Sequence, residues 1–210
     1  LFDPGNMVDV PGEGTFAYYP NRDSLGYIAL YELEDAATFI RTTLRHPDFS
    51  QGWKNIIDLK LTDEEKVYDT DGMSVAGFFE AHMLRHDLTT RFRELSVAEE
   101  DIEEAAGTSM ATPALNIAAR QLNFLDPRGD KLINKGLCSA ADVLQFILEE
   151  KLALKPHDKD MIIMLHEITY VTNDKVREIK SSLVVKGEDS VHTAMAKTVG
   201  LPLGIAAKLI

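Results

Sequence analysis

Two β-rich runs near the C-terminal end of the sequence constrain its fold most strongly. Residues 160–171 read DMIIMLHEITYV and residues 176–187 read VREIKSSLVVKG. Both runs are rich in the β-branched and aromatic residues that favour strands. The residues between them, 172–175, read TNDK, and Asn and Asp are typical of tight hairpin turns. The sequence therefore predicts a β-hairpin of two long strands.

A helical hydrophobic period governs residues 60–156. Residues 74–86 and 139–154 have this spacing, and 96–107 read as a short acidic helix that ends at a glycine. In the first of these segments the spacing predicts one common face for Val75, Phe78, Phe79, His82 and Met83.

These patterns together predict an α/β (α+β) chain. We expect a mixed sheet with helices on one face and an inserted, small all-helical subdomain. Residues 1–59 and 157–210 would form a discontinuous substrate-binding and dimerisation sheet domain. Residues 60–156 would form the insert.

The N-terminal part alternates turns with short elements. Asp23 or Ser24 can cap a helix that carries Leu25 and Ile28. Residues 38–45, TFIRTTLR, are dense in β-branched residues and predict a strand, and a helix is expected over 49–59.

Charge and cysteine content exclude several classes of protein. The 34 acidic and 22 basic residues give a net charge of −12, so a nucleic acid is not an expected partner. A single cysteine excludes an internal disulfide and fits a reducing, cytoplasmic location. Apolar runs are too short to span a bilayer, so no membrane partner is expected. The chain starts at Leu1, and we expect it to be part of a larger polypeptide.

Arg22 is the first candidate for binding a ligand. It follows Asn21 at the predicted start of a helix, where N–H groups and the helix dipole favour an anion. A guanidinium adds a planar fork that can grip a carboxylate with two hydrogen bonds. The alternative is a simple turn in which Arg22 pairs with Asp23.

Arg45 is the second candidate, at the end of the predicted strand. Thr43 offers a hydroxyl, and the backbone of Leu44 is available if the strand lies at a sheet edge. Arg45 and Arg22, joined by one helix, could converge on one multiply charged anion. The alternative is an ordinary surface arginine.

The histidines favour structural roles. His82 and His86 have the spacing of a metal pair, but the string HMLRH lacks the glutamate of the zinc-protease motif. His166 and Glu167 alternate on a strand and so face opposite ways. No metal site is predicted, and the absence of a G-x-G-x-x-G or P-loop motif predicts no nucleotide cofactor bound to this segment.

Several motifs in this order resemble the saccharopine dehydrogenase family, also called saccharopine reductase, of lysine metabolism. The strongest are YPNRDSL at 19–25, FIRTTLRHPDF at 39–49 and HTAMAKTVGLPLGIAAKLI at 192–210. VDVPGEGTF at 8–16 and PHDKDMIIMLHE at 156–167 support them. Relatives often have Gly where Thr42 stands and Tyr where His46 stands.

The resemblance implies a substrate-binding and dimerisation region without the N-terminal Rossmann domain that binds NAD or NADP. It implies a homodimer and, as substrate, saccharopine, a secondary amine with three carboxylates. The family's saccharopine-binding positions correspond to Arg22, Thr43, Leu44 and Arg45. The family's acid–base groups lie outside this segment, so its catalytic residues stay unknown.

Two other functions stay open from the sequence. The chain could be a ligand-binding or dimerisation module without catalysis. It could also belong to a related oxidoreductase that acts on lysine or on a carboxylated polyamine, although the string TAMAKTVGLP at 193–202 favours saccharopine.

Overall fold

A computed structural model describes residues 3, 5–96 and 113–210 of the chain. The strands are β1 Met7–Val10, β2 Gly14–Pro20, β3 Thr42–Arg45, β4 Tyr68–Asp69, β5 Leu137–Cys138, β6 Met161–Thr172 and β7 Lys175–Lys186. The helices are α1 Gly26–Leu30, α2 Pro47–Asp58, α3 Val75–Arg85, α4 Thr89–Leu95, α5 Pro113–Phe124, α6 Ala140–Lys151 and α7 Ala194–Leu209. Apart from Ser96, the acidic helix predicted at 96–107 lies outside the described residues.

The predicted combination of helices and strands is confirmed. The strands are distributed over three small sheets, in the orders β1-β2-β3, β4-β5 and β6-β7. Strand β3 begins at Thr42, later than the predicted start of the strand at residue 38. Residues 47–58 form α2 as the apolar spacing predicted, with His46 accepting a hydrogen bond from the Asp48 N–H at 3.3 Å.

Residue contacts divide the chain into two units. One, which we call the helical unit, comprises Leu1–Met7 and Ala17–Leu152, and the other, the hairpin unit, comprises Val8–Phe16 and Ala153–Ile210. This division differs from the predicted sheet domain and inserted subdomain, whose boundaries stay a prediction.

The helical unit has a continuous apolar core. The predicted face of α3 is confirmed, because all five of its residues are buried. Phe78 is fully buried and meets the Tyr68 ring edge-on at 5.1 Å between centroids. The single cysteine, Cys138, is 4% exposed in the same core. Ser74 caps α3 and Ser139 forms a capping box at α6, so both helix starts satisfy their backbone donors.

The hairpin unit is organised by the long β6–β7 ladder. The strands pair antiparallel from Met161 opposite Lys186 to Thr172 opposite Lys175, which confirms the predicted hairpin. Asn173 and Asp174 form its turn with φ values of 49° and 58°, the left-handed conformation that a tight turn requires and that Asn and Asp tolerate.

A carboxylate joins the start of the hairpin to the start of α7. Asp160 accepts backbone hydrogen bonds from Ala194 at 2.6 Å and Met195 at 2.9 Å. The Gly187 N–H donates to the Asp160 carbonyl at 2.8 Å. The orphan donors of α7 are thus satisfied from within the unit.

None of the helices in the described part of the chain is both long and apolar enough to span a bilayer.

Candidate functional site

The face of strand β3 follows from its register with β2. Thr43 lies opposite Tyr19 and Arg45 lies opposite Ala17. Side chains directly opposite each other in an antiparallel pair share a face, so Thr43, Arg45 and Tyr19 lie on the same side of the sheet. Leu44 points to the other side.

The backbone of Leu44 lies at the open edge of the sheet. Strand β3 is last in the order β1-β2-β3, and one β2–β3 ladder bond joins the Asn21 N–H to the Arg41 carbonyl at 3.0 Å. Because ladder bonds occur at alternate pairs, the peptide groups of Leu44 point away from β2. The Leu44 carbonyl accepts a hydrogen bond from Arg45 Nη1 at 3.0 Å, in agreement with this geometry.

An aromatic surface supports the Arg45 side chain. Its guanidinium carbon lies 5.3 Å from the centroid of the Phe49 ring, which stacks on Tyr19 at 6.1 Å. Phe49 is placed there because α2 begins at Pro47, two residues after β3 ends. Arg45 is exposed, and no salt bridge to it occurs within the part of the chain that the structure describes.

Arg22 lies in the turn after β2, with a φ of 48°. This left-handed conformation is uncommon for a residue with a Cβ, although Glu32 and Lys60 also adopt it, each with a φ of 55°. The Arg22 side chain is exposed, and the alternative ion pair with Asp23 is not found among the described residues. Asp23 instead accepts a hydrogen bond from the Leu25 N–H at 3.1 Å.

The predicted helix cap beside Arg22 is wrong. Helix α1 has only five residues, its N-cap is Leu25, and no side chain caps it. The Ser24 hydroxyl donates instead to the Asn21 carbonyl at 2.5 Å, because Ser and Asp compete for local turn bonds. So short a helix provides no dipole for an anion, and the case for Arg22 depends on its guanidinium alone.

The register sets the spacing of the two predicted arginines. Arg45 lies opposite Ala17, at one end of the ladder, and Arg22 follows Pro20 by two residues at the other end. Three residues of strand, about 10 Å at roughly 3.3 Å per residue, and a two-residue turn separate their backbone positions. Both side chains are exposed, and their joint action on one ligand stays a prediction.

Sequence reasoning missed a third arginine. Arg41 lies just before β3, and its guanidinium carbon lies 4.0 Å from the centroid of the Tyr27 ring in α1. The signal was present in the string RTTLR, because strand alternation places its first, third and fifth residues on one face.

His82 has a structural role, as the sequence favoured. Its Nε2–H donates to the Leu59 carbonyl at 2.9 Å, and its Nδ1 accepts from the Tyr68 hydroxyl at 2.7 Å. Burial lowers the pKa of His82, so the ring is held neutral. No group of three metal-binding side chains occurs in residues 3, 5–96 and 113–210.

The one glycine pair with G-x-G spacing does not form a dinucleotide site. Gly12 and Gly14 have φ values of 83° and 98°; Gly12 lies in the turn between β1 and β2, and Gly14 is the first residue of β2. A strand therefore begins where a dinucleotide fingerprint requires the N-terminus of a helix to bind the pyrophosphate. These residues therefore do not fit NAD or NADP.

The comparisons with known proteins show the family of the chain. A model of the saccharopine dehydrogenase C-terminal domain matches residues 1–210. The chain therefore belongs to the saccharopine dehydrogenase C-terminal domain family, and the predicted resemblance is confirmed.

Individual relatives are more distant. An alpha-aminoadipic semialdehyde synthase of Arabidopsis thaliana is 30% identical across 100% of this chain, which covers 21% of that protein. An NADP(+), L-glutamate-forming saccharopine dehydrogenase of Pyricularia oryzae is 28% identical, with 93% of this chain and 43% of that protein covered. This chain thus spans less than half the length of these relatives.

A solved structure has the same fold. Apo saccharopine dehydrogenase (L-Glu forming) from Saccharomyces cerevisiae matches with a TM-score of 0.72 and 24% identity. The match covers 96% of this chain and 44% of that one.

Proposed function

We propose that this chain is the substrate-binding part of an NAD(P)-dependent saccharopine dehydrogenase. Arg22, Thr43, Leu44 and Arg45 would bind saccharopine. The observation that carries the proposal is the placement of Thr43 and Arg45 on one face of an edge strand, with the guanidinium over Phe49 and without an acidic partner among the described residues.

The reaction is the oxidative cleavage of saccharopine, or its reverse. NAD or NADP, held by residues outside this chain, would supply the acceptor for a hydride from the CH2 carbon on the lysine-derived side of the secondary amine. Water then hydrolyses the resulting imine to glutamate and 2-aminoadipate 6-semialdehyde.

The residues of this chain orient the substrate. The guanidinium groups of Arg22 and Arg45 each grip a carboxylate, and the Leu44 N–H at the open edge donates a further hydrogen bond. The chain has a net charge of −12, so these local cations are needed to offset its repulsion of a polyacid. Fixing the substrate relative to the hydride acceptor lowers the entropy cost of the reaction.

Kinetics of the full-length enzyme test this proposal. Arg45→Gln should raise the KM for saccharopine about tenfold or more, because it removes charge-assisted hydrogen bonds. Arg91→Gln is the matched control, since Arg91 is an exposed arginine on α4 that pairs with Glu94 at 3.4 Å. An unchanged KM in the Arg45 variant would remove Arg45 from the site.

The predicted homodimer is part of the same proposal. The cross-strand pair Ile168 and Ile179 is 53% and 48% exposed, and a two-stranded hairpin is marginal alone in water. We propose that this hairpin surface packs against a second copy. Light scattering of the full-length enzyme should give the mass of a dimer, and Ile168→Lys should reduce it.

A further inference from the structure

The register of β3 extends by one pair to Arg41. The paired residue numbers continue from Pro20 opposite Thr42 to Asn21 opposite Arg41, and the Asn21 N–H donates to the Arg41 carbonyl at 3.0 Å. Arg41, Thr43 and Arg45 therefore alternate along one extended segment. Their side chains start from the same face, with about 13 Å between the outer two.

Both outer arginines are held by aromatic rings. Arg41 lies over Tyr27 and Arg45 lies over Phe49, at 4.0 and 5.3 Å from the ring centroids. A guanidinium that lies flat over an aromatic ring still has its N–H donors free along the edge of the guanidinium plane. A carboxylate can accept hydrogen bonds from these donors. Neither arginine forms a salt bridge with any residue that the structure describes.

We propose that Arg41 is a third carboxylate-binding residue, at the opposite end of this face from Arg45. The inference rests on the proposed function, because it assigns a further contact to the same polyacid. The two arginines would bind carboxylates at the two ends of an elongated chain, with the Thr43 hydroxyl between them. Tyr27 is a positioning residue that fixes Arg41.

This arrangement makes a prediction about ligand length. A short diacid reaches one of the two guanidinium groups, whereas a long one reaches both. The site would thus select an extended polycarboxylate over glutamate or other short acids.

Steady-state kinetics of the full-length enzyme provide the first test. Arg41→Gln should raise the KM for saccharopine about tenfold while kcat changes little, and Tyr27→Leu should raise KM by a smaller factor. Arg91→Gln is again the control and should leave KM unchanged. If Arg41→Gln fails to fold, Arg41→Lys replaces it, and its KM should also rise because a lysine lacks the planar fork.

Competitive inhibition by linear dicarboxylates of increasing length provides the second test. With the unaltered enzyme, affinity should rise with chain length, and Arg41→Gln should abolish that rise. A structural role for Arg41 would not change the dependence on length.

The outcomes separate this inference from the proposed function. If Arg45→Gln raises KM and the Arg41 variants do not, the role of Arg41 is wrong and the proposed function stands. If neither the Arg41 variants nor Arg45→Gln change KM, both the role of Arg41 and the proposed function are wrong.

Discussion

The two units of the chain place their apolar residues differently. In the helical unit, Phe78 and Val143 are fully buried. In the hairpin unit, Ile168 is 53% exposed and Val171 is 69% exposed. One unit is therefore stabilised mainly by burial of its own core, and the other by its ladder and local polar contacts. The stability of the two units should respond differently to a large-to-small core substitution, to a Cβ added where the backbone is closely packed, and to pH.

The largest expected effect is on the core of the helical unit. Phe78→Ala should lower the free energy of unfolding by about 3–5 kcal/mol, because it leaves a cavity around a fully buried side chain. Urea unfolding measures the change. Leu84→Ala on the same helix is the control, since Leu84 is 76% exposed and should change stability by about 0.5 kcal/mol or less. Equal losses in both variants would contradict this account of the core.

A backbone contact should matter most in the hairpin unit. A Cβ at Gly187 would collide with the Asp160 carboxylate and lie 3.1 Å from the Ala194 nitrogen. Gly187→Ala should therefore destabilise this unit by about 1–3 kcal/mol, measured by hydrogen exchange in β6 and β7. Gly200→Ala is the control, because no atom lies within 4 Å of a Cβ there. In this variant the protection of backbone amides from hydrogen exchange should be retained or increased. Unchanged exchange in the Gly187 variant would show that Asp160 can move aside without cost.

Between about pH 5 and about pH 8, one histidine in each unit should give pH dependences of opposite sign. The pKa of His82 is lowered by burial, so its contribution to stability is complete above about pH 6.5 and is lost as the pH falls through its folded pKa, at about 1.4 kcal/mol per pH unit or less. The pKa of His192 is raised because its ring hydrogen-bonds the Asp189 carboxylate. Its contribution is complete below about pH 6.5 and is lost as the pH rises through its folded pKa.

Single variants separate these two contributions. His82→Gln should remove the loss of stability toward acid, and His192→Gln should remove the loss toward alkali. Urea unfolding between about pH 5 and about pH 8 checks both signs. If a variant keeps the same change of unfolding free energy with pH as the unaltered protein, the replaced histidine does not cause the loss of stability on that side of the pH range.

The smallest effect on stability should come from the exposed hairpin surface. Ile168→Thr should change the free energy of unfolding by about 0.5 kcal/mol or less while it lowers self-association in light scattering. Ile147→Thr in the helical unit is the control, since Ile147 is 4% exposed and should cost more than about 1 kcal/mol. A similar cost at both positions would contradict the contrast between the units.

The sequence predicted the elements whose signals were local and periodic. The α3 face containing Phe78 and His82, and the hairpin turn at Asn173, follow from spacing and turn chemistry alone. The short α1 did not, because Asp23 and Ser24 bond within the turn instead of capping it. The division of the strands into three sheets depends on long-range pairing, which leaves no periodic signal.

The candidate site was predicted in part for the same reason. Arg22 and Arg45 were found from their motifs, whereas the aromatic supports of the site depend on tertiary contacts. Phe49 was expected on a helix, but its place between Arg45 and Tyr19 follows from the abrupt β3–α2 connection. Arg41 could have been found from strand alternation, and Tyr27 beneath it could not.

The position of Cys138 gives the molecule an internal reporter. Its thiol is the only one in the sequence, and it lies 4% exposed within the core of the helical unit. A thiol-reactive dye can attach only when that core opens, so the labelling rate follows opening of this unit without an engineered tag. The hairpin unit contains no sulfhydryl group, so its opening would give no labelling in the same assay.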